Sequence, residues 1–187
     1  MADHNHMPLG ADGGPIEIVD YDPAWPACYA AECERLAPLL PGLHISHIGS
    51  TAVRGLAAKP VIDMIAFVDD MDAGSATLMR DAGYHLPARF NLNLVHRRFL
   101  CYPTPVLRTH HLHLVDRHED VERCLRFRDG LRADPELAAA YAALKRDLAA
   151  RFREDRAAYT RAKTSFIEDA LGRRPTSRRA TTPHSTG

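Results

Sequence analysis

Apolar residues recur along this chain in two rhythms, mixed up to about residue 116 and purely helical beyond it. Residues 16–19 alternate as a short strand does. Asp22-Pro23 then opens a helix in which Trp25, Tyr29, Cys33, Leu36 and Leu40 share one face, and Pro41-Gly42 ends it. Residues 44–48 predict a strand that runs into Gly49-Ser50-Thr51. After a linking segment and Pro60, residues 61–68 form an apolar run of strand length broken by one acid. Residues 73–82 predict a helix stopped by Gly83, and 89–102 and 106–116 predict two antiparallel strands. Three helices are expected to follow, over 119–131, 135–152 and 155–171, with Asp134-Pro135 as cap and first position of the second. The pattern predicts an α+β fold: a small mixed β-sheet with helices packed on it and a helical C-terminal third.

The two ends carry no such rhythm. Residues 1–14 and 173–187 are rich in Gly, Pro, Ser, Thr and Arg, and are expected to be disordered tails around one domain spanning 15–172. A chain of 187 residues is long enough to bury an ordinary core without metal or disulfide staples. Its 24 Lys and Arg balance 24 Asp and Glu, which argues against a nucleic-acid binder that relies on a basic surface. The balance is a sum of unlike parts, because the last 15 residues hold four arginines and no acid. Cys28, Cys33, Cys101 and Cys124 show neither a CxxC pair nor zinc spacing. The start lacks the apolar run of a signal peptide, and no stretch reaches the ~20 apolar residues of a membrane span. A cytoplasmic protein with reduced thiols is expected.

Three features carry candidate chemistry. A strand ending in Gly49-Ser50-Thr51 presents backbone N–H groups and two hydroxyls, a natural cradle for phosphate; the alternative is a capped turn without a ligand. Asp63 stands within VIDMIAFV, and an ionised carboxylate alone in such a strand costs several kcal/mol, so it needs a partner, a metal or an opening to solvent. In His110-His111-Leu112-His113, a strand would turn His111 and His113 to one face. Beside the Asp63 strand they would orient the carboxylate, replace missing acids or complete a two-histidine, one-carboxylate metal site. The alternative is a pair of hydrogen-bonded sheet residues.

The C-terminal helices repeat one device. AAYAALK and AAYTRAK each place a lysine four residues after a tyrosine on an otherwise apolar stripe: Lys145 after Tyr141, and Lys163 after Tyr159. Such lysines snorkel, pair with an acid or reach a cleft. With Lys59, Arg128 and Arg132 they form a set of cations able to face phosphate; surface ion pairs are the alternative.

A Gly-Ser turn followed about a dozen residues later by a carboxylate on a strand is the arrangement of nucleotidyltransferases. The segment HIGSTAVRGLAAKPVIDMIAFV resembles the core of the GrpB family (UPF0157), of the nucleotidyltransferase-fold superfamily. The resemblance continues through YDPAW, THHLHLV at 109–115, FRDGLRADPELAAAYAALKRDLA at 127–149 and YTRAKTSFIEDAL at 159–171. It implies a nucleotidyltransferase-like fold and an enzyme that transfers a nucleotidyl group from a nucleoside triphosphate to a small-molecule acceptor. Gly49, Ser50 and Thr51 would hold phosphates, and Asp63 would bind Mg²⁺ or position the attacking group. His111 and His113 would complete that site, while Lys59, Arg128, Lys145 and Lys163 would neutralise phosphate charge.

The sequence departs from the superfamily where the second strand acid is expected, since Asp63 is followed by Met64-Ile65. It departs from the GrpB pattern at Arg54, in place of proline, and at Gly130, in place of an aromatic residue. Gly130 predicts either an early helix end or room for something else. Two alternatives follow. One is a non-catalytic nucleotide- or coenzyme-binding accessory module, in line with chains that fuse a similar domain to dephospho-CoA kinase. The other is a metal enzyme built on Asp63, His111 and His113.

Overall fold

In the computed structural model, residues 10–11 and 15–172 are described. The remainder of both expected tails lies outside them. Five strands, β1 (Gly10–Ala11), β2 (Ile45–Ile48), β3 (Ile62–Phe67), β4 (Arg97–Pro103) and β5 (Leu107–Val115), form one mixed sheet. β5 pairs parallel with β3 and antiparallel with β4 and β1, and β2 pairs antiparallel with β3. The short β1 falls inside the segment expected to be a tail.

Alternation along β3 and β5 divides the sheet into two faces. On one, Ile62, Met64, Ala66, Leu112, Leu114 and Leu100 pack under α1 (Trp25–Leu36) and α2 (Met71–Asp81), where Trp25, Leu36 and Leu78 are fully buried. On the other, Ile48, Ile65 and Val115 meet Val121, Cys124 and Leu125 of a long helix, α4 (His118–Ala133). Asp63 and His111 lie on this second face, directly opposite each other in the parallel register. α5 (Pro135–Arg151) is capped by Asp134, which accepts from the N–H groups of Glu136 and Leu137. Tyr141 and Leu137 of α5 join Val53, Leu56 and Leu131 in a separate core, so the loop after β2 is pinned to the C-terminal helices.

Four expectations need correction. Residues 16–19 are not a sheet strand: Val19 exchanges both backbone hydrogen bonds with Ala58, and Ile16 donates to the Arg153 carbonyl. The helix from Trp25 ends at Leu36, and Leu40 lies in the turns beyond it. The start of the 89–102 strand is a helical turn, α3 (Ala88–Asn91), because the Asn91 amide pairs with both the N–H and the carbonyl of Phe99 and holds the turn against β4. The last helix is two, α6 (Arg156–Ala162) and α7 (Thr164–Gly172), and Lys163 sits at their joint.

Gly130 neither ends α4 nor makes room for a neighbour. The helix continues to Ala133, and a Cβ added at Gly130 would meet nothing within 4 Å. A helical glycine in open surroundings costs ~1 kcal/mol relative to alanine. Gly130→Ala is therefore expected to stabilise the fold by about 0.5–1 kcal/mol in urea denaturation. An unchanged or lower midpoint would show that the position serves another purpose.

Candidate functional site

The site begins where β2 ends. Ile48 is registered opposite Asp63, so the next residue, Gly49, arrives beside the carboxylate. Gly49 has φ of +70°, a conformation that side chains disfavour, and a Cβ there would stand 2.7 Å from Asp63 Oδ2. Only glycine lets the backbone come this close. Ser50 opens a single 3-10 turn, Ser50–Ala52, and is partly exposed. Thr51 turns the other way: it is 1% exposed, its Oγ1 lies 3.0 Å from His47 Nε2, and its hydroxyl donates to the Val61 carbonyl. Of the two hydroxyls in the turn, that of Ser50 is left at the surface.

Asp63 Oδ1 lies 2.9 Å from His111 Nδ1, and a third of the Asp63 side chain (34%) reaches solvent. Burial opposes ionisation of this carboxyl, but the His111 hydrogen bond, helped by the nearby Lys59 charge, outweighs it and holds its pKa below the ordinary carboxylate value. The His111 ring packs edge-on against Phe99, with ring centroids 4.9 Å apart. His111 thus fixes the direction of Asp63. His113 sits two residues further along β5, opposite Ile65 and Phe99, and makes no bond to the carboxylate. Burial, helped by the charge of Arg97, pushes its pKa down to about 3, so this imidazole is neutral.

The C-terminal helices close the other side. Lys145 of α5 is 2% exposed, with Nζ 2.9 Å from Ser50 Oγ and a second bond to the Ala57 carbonyl. Tyr141, one turn earlier, lies beside Ser50, and its ring centre is 4.8 Å from the Lys145 ammonium. Burial, followed by the charges of Lys163 and Arg146, lowers the Lys145 pKa to about 7. At the α6–α7 joint, Lys163 Nζ stands 4.3 Å from the centre of the Tyr159 ring. Burial lowers the pKa of Lys163, and the nearby Asp63 charge raises it again. Burial and the same charge push Tyr159 up to about 12. The two tyrosines were visible in the sequence as core residues at Lys-minus-four; the part their hydroxyls and rings play was not.

Arg128 and Arg132 are engaged elsewhere. Arg128 Nη1 donates to the His47 carbonyl and its Nε to Asp129, while Arg132 donates twice to the Ala52 carbonyl. From α4 they clamp the backbone on both sides of the Gly-Ser turn. Among the described residues no group of three or more His, Cys, Asp or Glu is placed to hold a metal ion. The residues around Asp63 do not fit a resident metal centre. A groove of about 800 Å³ lies behind the same loop, between Tyr21, Val53, Leu56, Leu131 and Ala138, but Ser50, Asp63 and Lys145 do not line it.

Two predictions follow from this geometry. Gly49→Ala is expected to cost about 1–3 kcal/mol, through the strained backbone alone, and more through the contact with Asp63; thermal denaturation would measure it. An unaffected midpoint would mean that the turn and carboxylate are not in contact. His47 is held neutral by burial, its pKa lowered to about 4, as His113 is at about 3. Both folded values lie below the ordinary ~6.5, so their stabilisation is complete above that pH and is lost as pH falls through the folded values, at ~1.4 kcal/mol per unit of depression. Urea midpoints measured from neutral pH downward should fall steeply for the wild type and less steeply for His47→Gln. Parallel curves would contradict the assignment.

The GrpB protein family model matches residues 15–173. The UPF0157 protein PA4798 of Pseudomonas aeruginosa is 42% identical over 170 residues, covering 87% of this chain and 69% of that one. A dephospho-CoA kinase of Mycolicibacterium paratuberculosis is 31% identical, over 91% of this chain and 48% of its own length. Among solved structures, the crystal structure of conserved protein GrpB from Enterococcus faecalis is similar, with a TM-score of 0.73 and 32% identity over 83% of this chain and 94% of that one. The separate sequence motifs, the family match over the whole described domain and the shared fold agree: the chain belongs to the GrpB family.

Proposed function

We propose that the protein binds a nucleoside triphosphate against the Gly49–Ser50 turn and transfers its nucleotidyl group to a small-molecule acceptor, in the manner of nucleotidyltransferases. The observation that carries this reading is the placing of one oriented carboxylate, Asp63, against a Gly-Ser turn whose serine is bonded by the buried Lys145. Phosphate oxygens accept from the turn and from Ser50. Lys163 and Lys59, which share the field of Asp63, neutralise their charge, and Lys145 holds Ser50 in place. Asp63 is ionised throughout the neutral range and fixes the acceptor hydroxyl that attacks the α-phosphorus. Mg²⁺ belongs to this reading as part of the incoming triphosphate, with Asp63 as its single protein carboxylate.

A second reading is favoured by two observations: the strand offers one acid where two-metal transfer uses two or three, and a relative is named dephospho-CoA kinase. On this reading the domain binds a nucleotide or coenzyme without turnover.

Calorimetric titration with each magnesium nucleoside triphosphate tests both, and binding of at least one is expected. Lys163→Met should weaken it about tenfold or more, the effect of losing one charge-assisted phosphate contact. Asp63→Asn should leave binding nearly intact and abolish pyrophosphate release. Binding with no release in the wild type would favour the accessory module; no binding of any triphosphate would overturn both readings.

A further inference from the structure

We propose that Ser50 is a nucleophile toward phosphorus-centred esters, with Lys145 as the base that takes its proton and Tyr141 as the hydroxyl that steadies its oxygen. The inference does not need the nucleotide reading; it needs only an electrophilic phosphorus that reaches Ser50.

Gly49, with its φ of +70°, turns the chain sharply before Ser50, which keeps partial exposure. Behind it the polar groups are closed in: Lys145 is 2% and Tyr141 5% exposed. As it stands, Lys145 Nζ donates to Ser50 Oγ at 2.9 Å and to the Ala57 carbonyl, with Tyr141 beside the same serine. With the amine neutral, the Ser50 O–H turns to donate to Nζ, one Nζ–H keeps the Ala57 carbonyl, and the Tyr141 O–H turns to donate to Oγ. Among the described residues no carboxylate forms an ion pair with Lys145. The charged and titratable groups around it are Lys163, Arg146 and Tyr141, with Asp63 acting on Tyr141, Tyr159 and Lys163 and Lys59 acting on Asp63. Burial and the two neighbouring cations bring the lysine to a pKa of about 7, so a large share is free base at neutral pH.

In the step itself, the Oγ–P bond forms as the bond from phosphorus to its leaving group breaks. The leaving group departs with the electron pair, as fluoride does from a fluorophosphonate. The Ser50 proton passes to Lys145 Nζ. The product is a serine phospho-ester and a lysine ammonium, with no further co-reactant.

The test uses the full chain and an alkyl fluorophosphonate, which requires no nucleotide site. Intact mass and peptide mapping should find the adduct on Ser50, forming faster as pH rises through about 7. Lys145→Met should slow labelling on the order of 100-fold, the scale of a lost general base. Tyr141→Phe keeps the ring stacked on Phe166, and so covers the case of a Lys145→Met chain that does not fold; it should slow labelling by about tenfold. Absence of a Ser50 adduct across roughly pH 6 to 9, a rate independent of pH, or wild-type labelling of either variant would each overturn the proposal. A failed nucleotide titration would not.

Discussion

The Asp63 carboxylate, standing on a strand otherwise filled by apolar side chains, is the constraint to which the surrounding structure answers. An unpaired carboxylate there costs several kcal/mol. The fold meets that cost from three directions. His111 bonds one oxygen from the adjacent parallel strand, a glycine backbone makes room for the other, and a third of the side chain is left to solvent. Each depends on register. Sliding β5 by one residue would put Leu112 or His110 opposite Asp63 in place of His111, and any side chain at position 49 would collide with Oδ2.

The same constraint explains why charge in this neutral chain works locally. Lys145 and Lys163 reach the site because Tyr141 and Tyr159, four residues earlier on their helices, provide aromatic faces for the ammonium groups. Arg128 and Arg132 contribute indirectly, by holding the carbonyls of His47 and Ala52 so that the turn between them cannot drift from Asp63. No helix of the described residues is long and apolar enough to cross a membrane, and the cations of the site face inward.

Much of this was legible in the sequence because period and position coincide with contact. The parity of His111 and His113, the apolar run around Asp63 and the Tyr-Lys spacing each placed a side chain on the correct face. What stayed hidden depended on partners far away in the chain. Nothing near Thr51 shows that its hydroxyl donates to the carbonyl of Val61, ten residues on. Nothing near Arg128 shows a carbonyl 81 residues away as its acceptor. The amide of Asn91, which turns an expected strand into a helical turn, acts through tertiary hydrogen bonds that no local propensity encodes. The break at Lys163 likewise lies in a sequence that reads as one continuous helix.

The central claim is that phosphate and carboxylate chemistry meet at Gly49–Ser50 and Asp63. A crystal structure of the protein with a non-hydrolysable nucleoside triphosphate and Mg²⁺ tests it most directly. The account predicts phosphate oxygens bonded to Ser50 and the turn, Lys163 Nζ swung from the Tyr159 ring onto them, and Asp63 still bonded to His111 and facing the α-phosphate. A triphosphate bound elsewhere, with Ser50, Asp63 and Lys163 unmoved, would contradict it.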